Sequence, residues 1–319
     1  MPTAVSCRPP FRAERCFVPN AVENTPVVAC GGECAVEKAM SVDQARLMRL
    51  LQNEADMGFK RRVRYMFQSL DLQPTDRVLD AGCGRGFFMK YVTELAPCHL
   101  IGVDLEFDHL EIALRQNRAK GASVARSYID PLPFPNETFD KIIFSEVLEH
   151  LPDDWGGLNE IKRVLKRGGL LFLTVPNHNY PFWWDPINKT LEALFHTHIQ
   201  NGTFAGIWAN HVRLYYPDEI KALVTRAGFE IRAFYPILHY CFPFAHNLVY
   251  GLGKPLFEKG MLPENMRAAA DRFGGESAQP GALNPVRLGL NLFNWIDHYN
   301  ENLTENTSFM INALLLRKP

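Results

Sequence analysis

Between residues 77 and 175, short apolar runs alternate with amphipathic stretches. That alternation restricts the chain to a parallel sheet flanked by helices, because parallel neighbours cannot be joined by a tight turn and each crossover lays a helix over the sheet. The runs fall near 77–81, 99–104, 123–126, 141–145 and 170–175. Between the last two, Leu158, Ile161 and Leu165 recur at helical spacing, and "KRGG" (166–169) places cations and glycine where that helix is expected to end. Pro217 suits a first helical position, Ile220, Leu223, Val224 and Ala227 follow at helical spacing, and Gly228 stops that helix before the strand "FEIRAFYPI". The last expected strand is "SFMINALLLR" (308–317). A doubly wound α/β core follows from this order.

Two stretches break the regularity. Residues 178–212 and 239–306 are expected to be insertions that form a lid or an acceptor wall, since long irregular segments near the end of a compact α/β core are usually functional. Ahead of the core, 41–70 carries a helical pattern through Leu47, Leu50, Leu51, Ala55, Val63, Met66 and Phe67, a helical lead-in. Residues 1–40 contain five prolines and no sustained periodicity and are expected to be a flexible tail, which leaves 41–319 as one domain.

Composition excludes several classes. With 34 Lys and Arg against 35 Asp and Glu, the total charge calls for no nucleic-acid partner. The seven cysteines lack a metal-ligand spacing, and Cys83 sits inside a glycine turn, so reduced thiols and a cytoplasmic location are expected. The uncharged stretch Ala233 to Gly253 is broken by prolines and histidines, which argues against a spanning helix; its lack of charge motivates an expected peripheral contact with a membrane surface.

The most informative segment is "RVLDAGCGRGFF" (77–88), where a strand passes into a helix through Gly82, Gly84 and Gly86. A dinucleotide-binding turn is the competing reading, but Phe87 stands where its third glycine belongs, and Asp80 would repel a diphosphate while attracting an amine. Asp104 ends the next strand, 22 residues beyond Gly82, where a carboxylate can accept hydrogen bonds from two ribose hydroxyls. A ligand with a cationic amino-acid head and a ribose satisfies both acids, and S-adenosylmethionine is such a ligand.

Taken in order, "VLDAGCGRGFFMKYV", "IGVDLE", "LPFPNETFDKIIFSEVLEHLPD" and "RVLKRGGLLFLTVPN" resemble the class I S-adenosylmethionine-dependent methyltransferases, in particular the subgroup containing the ubiquinone-biosynthesis methyltransferases. The resemblance covers about 70–238 and the last strand. It implies an α/β fold with a seven-stranded, mostly parallel, Rossmann-like sheet whose last strand is antiparallel. It also implies that Asp80, Gly82, Cys83, Gly84 and Gly86 line the methionine end of the cofactor, that Asp104 with Leu105 holds the ribose, and that Ser145 borders the pocket. The family often carries an acid four residues before Leu132; this chain has Tyr128 there, the nearest acid is Asp130, and the backbone around Ile129 is expected to meet adenine.

For the acceptor, "SEVLEHL" offers Glu146, Glu149 and His150. If a helix starts near Glu146, these three share a face at the end of the fourth strand, where they could hold a divalent ion such as Mg. The same Glu-x-x-Glu-His pattern resembles the metal-binding segment of some ubiquinone-pathway O-methyltransferases and some small-RNA 2'-O-methyltransferases. Alternatively, His150 with Glu149 acts as a metal-free base, or the residues cap the helix. His178 and His211 flank the first insertion and are further candidates to face the acceptor. Trp183, Trp184, Phe195, Phe204 and Trp208, with "LNLFNWI" (290–296), favour a hydrophobic or lipid-like small acceptor, methylated at oxygen in preference to carbon, over a small polar one. Two alternatives stay open: these aromatics form a satellite core, or the protein is a non-catalytic binding or scaffold protein on the cofactor fold.

Overall fold

The computed structural model describes residues 43–52, 54–117, 120–202, 204–241, 285–301, 303–304 and 307–319. The expected tail, its four cysteines and the 242–253 part of the uncharged stretch lie outside them. Seven strands form one sheet: β1 (Arg77–Ala81), β2 (His99–Asp104), β3 (Ser123–Arg126), β4 (Phe139–Ser145), β5 (Leu165–Pro176), β6 (Glu230–Ile237) and β7 (Ile311–Arg317). Their order is β3-β2-β1-β4-β5-β7-β6. β1 pairs in parallel with both β2 and β4, whereas β7 runs antiparallel to both β5 and β6. This is the mixed sheet with an antiparallel last strand that the sequence implies.

Among the described residues eight α-helices accompany it: α1 (Gln44–Leu51), α2 (Met57–Leu70), α3 (Phe87–Leu95), α4 (Phe107–Asn117), α5 (Asp154–Val164), α6 (Pro186–Phe195), α7 (Pro217–Arg226) and α8 (Pro285–His298). Successive strand residues point to opposite faces, so the central strands feed two separate cores. Val78, Ile143 and Phe172 join Phe59, Val63, Met66 and Tyr91 on one side. Leu79, Ile142, Phe144 and Leu171 join Leu158, Ile161 and Val224 on the other.

Two local expectations change. The lead-in is two helices, because the Asp56 carboxylate accepts the Phe59 N–H at 2.9 Å and starts α2 afresh. "KRGG" does not end a helix: α5 stops at Val164, and Leu165 already pairs with Phe139 in the sheet. The backbone N–H groups of Glu137 and Thr138 donate to the Arg163 and Val164 carbonyls at 2.9 and 2.8 Å, drawing the chain into β5 early. Lys166–Gly169 then forms the irregularity before Lys141 pairs with Leu170.

Both insertions leave the same end of the sheet. The first follows Pro176, which pairs with Ile311; the second lies between Ile237 and Ile311, which also pair. The glycine turn follows β1, which runs parallel to β4 and hence to β5, at that same end. Among the described residues no helix is long and apolar enough to cross a membrane, and Cys83, Cys98 and Cys241 are free thiols.

Candidate functional site

The turn after β1 is held from beneath: the Gly82 and Cys83 N–H groups both donate to the Val103 carbonyl at 2.8 Å, which ties it to β2. Gly82, Gly84 and Gly86 all have positive φ. Their surroundings differ. A methyl added at Gly86 would lie 2.8 Å from Asn117 Nδ2 and 2.9 Å from the Ala113 side chain, so this glycine lets α3 pack on α4. One added at Gly84 would meet nothing within 4 Å, so the turn is open there. Gly86→Ala is therefore expected to cost about 1–3 kcal/mol, and Gly84→Ala, which strains the backbone without a clash, about 1 kcal/mol; urea unfolding of the two variants measures the difference.

Asp80 and Asp104 flank this turn as the sequence requires. Asp80, on β1, is buried, and its Oδ2 has no hydrogen-bond partner. Burial, with the negative charge of Asp104 added to it, pushes its pKa up to about 8. Asp104 Oδ2 accepts the Gly84 N–H at 2.8 Å and its Oδ1 accepts the Glu106 N–H at 2.9 Å. An orphaned buried carboxylate oxygen beside an open glycine turn fits a ligand that brings a cationic head to the ends of β1 and β2. Cys83 is buried, and that burial pushes its thiol far above the ordinary range, so it packs the turn and is no nucleophile.

The other residues expected around the cofactor sit as follows. Leu105 is exposed and its carbonyl accepts the Arg126 Nε–H at 2.9 Å, while Ile129 is buried in the core beneath α5. Asp130 turns toward the first turn of α5: its Oδ2 lies 2.8 Å from where a Gly156 methyl would be. Ser145 Oγ contacts Thr174 Oγ1 at 2.8 Å and accepts from Arg62 Nη1 at 3.2 Å. Arg62, from α2, carried no signal in the sequence beyond helical periodicity. Its side chain is largely buried, its Nε has no partner, and it lies 4.0 Å from Glu146.

After β4 the chain does not enter a helix at Glu146. That residue has φ 56°, a single helical turn spans Leu148–His150, and α5 begins only at Asp154. The three expected ligands therefore do not share a helix face. Glu146 Oε1 accepts the Thr174 hydroxyl at 2.8 Å. Glu149 is fully buried with neither carboxylate oxygen hydrogen-bonded, and its Oε1 lies 3.9 Å from His150 Nε2 and 3.8 Å from His211 Nε2. Burial first, and the charge of Glu146 second, push the Glu149 pKa well above the usual carboxylate range. One ligand atom from each of Glu149, His150 and His211 falls within 4.8 Å of the others, a spacing at which a divalent ion could be held. His150 Nδ1 is fixed by the Asn210 carbonyl at 2.9 Å, and the Val212 N–H donates to the Glu149 carbonyl at 3.0 Å. Hence the end of the first insertion completes the cluster. This cluster adjoins the glycine turn, since a methyl on Gly82 would lie 2.3 Å from Val147.

His178 stacks on Tyr216 with centroids 4.6 Å apart, and burial lowers its pKa. The aromatics of the first insertion divide. Trp208 is buried and donates to Glu192 at 2.5 Å, and Trp184 packs on the core, while Trp183, Phe195 and Phe204 are exposed.

Part of the chain is similar to known proteins. Residues 79–173 match a family model described as a methyltransferase domain. A probable S-adenosylmethionine-dependent methyltransferase of Mycobacterium tuberculosis is 30% identical over 180 residues, 56% of this chain and 58% of that protein. The ubiquinone/menaquinone biosynthesis C-methyltransferase of Stenotrophomonas maltophilia is 27% identical over 58% of this chain and 79% of its own. The chain spans 34% of the length of a rice 2-methyl-6-phytyl-1,4-hydroquinone methyltransferase and 58% of that of the mycobacterial relative. In architecture it resembles the crystal structure of the cyclase SpnF, with a TM-score of 0.50 at 19% identity over 81% of each chain. With its glycine turn and paired acids inside the matched stretch 79–173, the chain carries a segment that matches a methyltransferase domain and is similar there to S-adenosylmethionine-dependent methyltransferases.

Proposed function

We propose that this protein transfers the methyl group of S-adenosylmethionine to a hydrophobic or lipid-like small molecule. The observation that carries the reading is Asp80, whose buried Oδ2 lacks any partner beside an open glycine turn with Asp104 across it. In this reading Asp80 receives the amino group of the cofactor, Asp104 the ribose diol, Leu105 and Ile129 the adenine side, and Arg62, reaching over the end of β4, the carboxylate. Asp130, turned toward α5, supports the loop that carries Ile129.

Methyl transfer from a sulfonium is an in-line displacement that dissipates charge, so the protein's tasks are alignment and exclusion of water. A base is needed when the acceptor is a hydroxyl. Glu149, His150 and His211 stand next to the turn and supply one: His150, oriented by the Asn210 carbonyl, takes the acceptor proton. The same three side chains fit a divalent ion, because the buried Glu149 carboxylate has no other partner; such an ion would polarise the acceptor oxygen. Glu146, held by the Thr174 hydroxyl, adds its negative charge beside Glu149.

This base favours oxygen as the target. Carbon is the second candidate, since the Stenotrophomonas relative is named for carbon methylation and for quinone acceptors. The deciding experiment incubates the protein with methyl-labelled cofactor and a lipid extract or a short-chain hydroquinone. Label should enter the apolar product, and its carbon chemical shift separates an O-methyl from a C-methyl group. Failure to bind the cofactor at millimolar concentration in calorimetry would overturn the reading.

A further inference from the structure

Among the described residues, eleven of the seventeen large apolar side chains that stand exposed belong to the two insertions. Helix α8 concentrates them. Its inner face is occupied: Leu290 is buried, Phe293 packs on the core, and Asp297 pairs with Arg61 of α2 at 2.5 Å. Its outer face carries Leu288, Leu292 and Trp295, spaced i, i+4 and i+7, with Tyr299 one residue past its end, and Trp295 and Tyr299 are 61% and 55% exposed. A helix that is apolar on both faces is ordinarily covered on both. In the first insertion Trp183 and Phe195 are exposed to 61% and 67%.

The position of these side chains narrows what covers them. Both insertions leave the sheet at the end that carries the glycine turn and the Glu149 cluster. Leu288, Leu292 and Trp295 form an uncharged stripe: the one carboxylate of α8, Asp297, is turned inward onto Arg61, and its one arginine, Arg287, stands about 100° round the helix from Leu288. Trp and Tyr in such a stripe are side chains with an apolar body and a polar edge, the kind that settles at headgroup depth. The sequence from Ala233, in β6, to Gly253, in the second insertion, contains no Asp, Glu, Lys or Arg.

We propose that the exposed aromatic surface of the two insertions, centred on Trp295 of α8 and Trp183, docks on the headgroup–acyl boundary of a phospholipid bilayer and presents the acceptor end of the sheet to it. Binding is driven by apolar burial and not by charge, so it extends to zwitterionic lipid and persists in salt. The proposal goes beyond methyl transfer and needs no bound cofactor; it rests on the functional reading only for what the surface is for.

The test is flotation of the full chain, without cofactor, on phosphatidylcholine vesicles. The protein should float with the vesicles at both 0.1 and about 1 M salt. Trp295→Glu and Trp183→Glu should each weaken partition by about tenfold or more, and the pair should abolish it. Their thermal unfolding and their calorimetric affinity for S-adenosylmethionine should stay those of the wild type. A chain that remains unbound, variants that float as the wild type does, or a stable dimer that Trp295→Glu dissociates would each overturn the membrane proposal. The last outcome would assign the surface to a second copy. None of them touches the cofactor reading, which calorimetry tests separately.

Discussion

Asp80→Asn is expected to yield a protein that melts several degrees higher than the wild type and binds S-adenosylmethionine on the order of 100-fold more weakly. Both effects come from one buried carboxylate. In the free protein Asp80 is raised from its ordinary 3.8 to about 8 by burial and by Asp104. A raised acid binds its proton more tightly in the folded than in the unfolded chain, so its ionisation destabilises the fold as pH climbs from about 4 to about 8. The stability gained by Asp80→Asn should therefore be near zero at pH 4, grow across that window and level off above pH 8. Urea unfolding of both proteins along a pH series measures it.

A cationic cofactor head reverses the balance, because it gives the carboxylate the partner that the folded chain lacks. Since Asp80 is mostly protonated at pH 7 in the free protein, binding there should release close to one proton, and affinity should rise toward pH 8. Titration in buffers of different ionisation heat detects that proton. An Asp80→Asn protein that binds as the wild type does, with no proton release, would remove this residue from the cofactor site. The trade of stability for binding is what a preorganised site requires: a charge kept costly until its ligand arrives.

How far this site was legible in the sequence depends on how local each part is. The glycine turn, both acids and the bounds of β1, β2 and β3 were visible, since each is fixed by spacing within a single strand, turn and helix. Glu149 and His150 were singled out by type and position, but their geometry was not: a positive φ at Glu146 breaks the expected helix, and no residue-level pattern announces a left-handed glutamate. His211 was named as a candidate to face the acceptor; that it lies 3.8 Å from Glu149 depends on how a 35-residue insertion returns to the sheet, which spacing cannot express. Arg62 was hidden for a simpler reason. In a helix with "KRRVR" one arginine looks like the next, and only the packing of α2 decides which one points inward.

The neighbouring arginine gives the second large effect. Arg61 is 1% exposed and is saturated by the second insertion: Nε donates to Asp297 Oδ1 at 2.5 Å, Nη1 to the Asn300 carbonyl at 2.8 Å, and Nη2 to the Asp297 carbonyl. Asn300 in turn accepts the His239 and Tyr240 N–H groups at 2.8 and 2.7 Å and donates to the Tyr240 carbonyl. The two ends of that insertion are thus pinned to each other and to the lead-in helix. Removing one partner of a buried pair strands the other charge, so Asp297→Ala should cost about 3–5 kcal/mol and Arg61→Met a similar amount. The double variant Arg61→Met with Asp297→Leu, which leaves no buried charge, should recover most of that loss. Denaturant unfolding of the four proteins closes the cycle. If the second insertion were a loose decoration, both single variants would unfold as the wild type does. The expected coupling makes it a structural part of the domain, and holds the outer face of α8 fixed relative to the sheet end where acceptor and cofactor would meet.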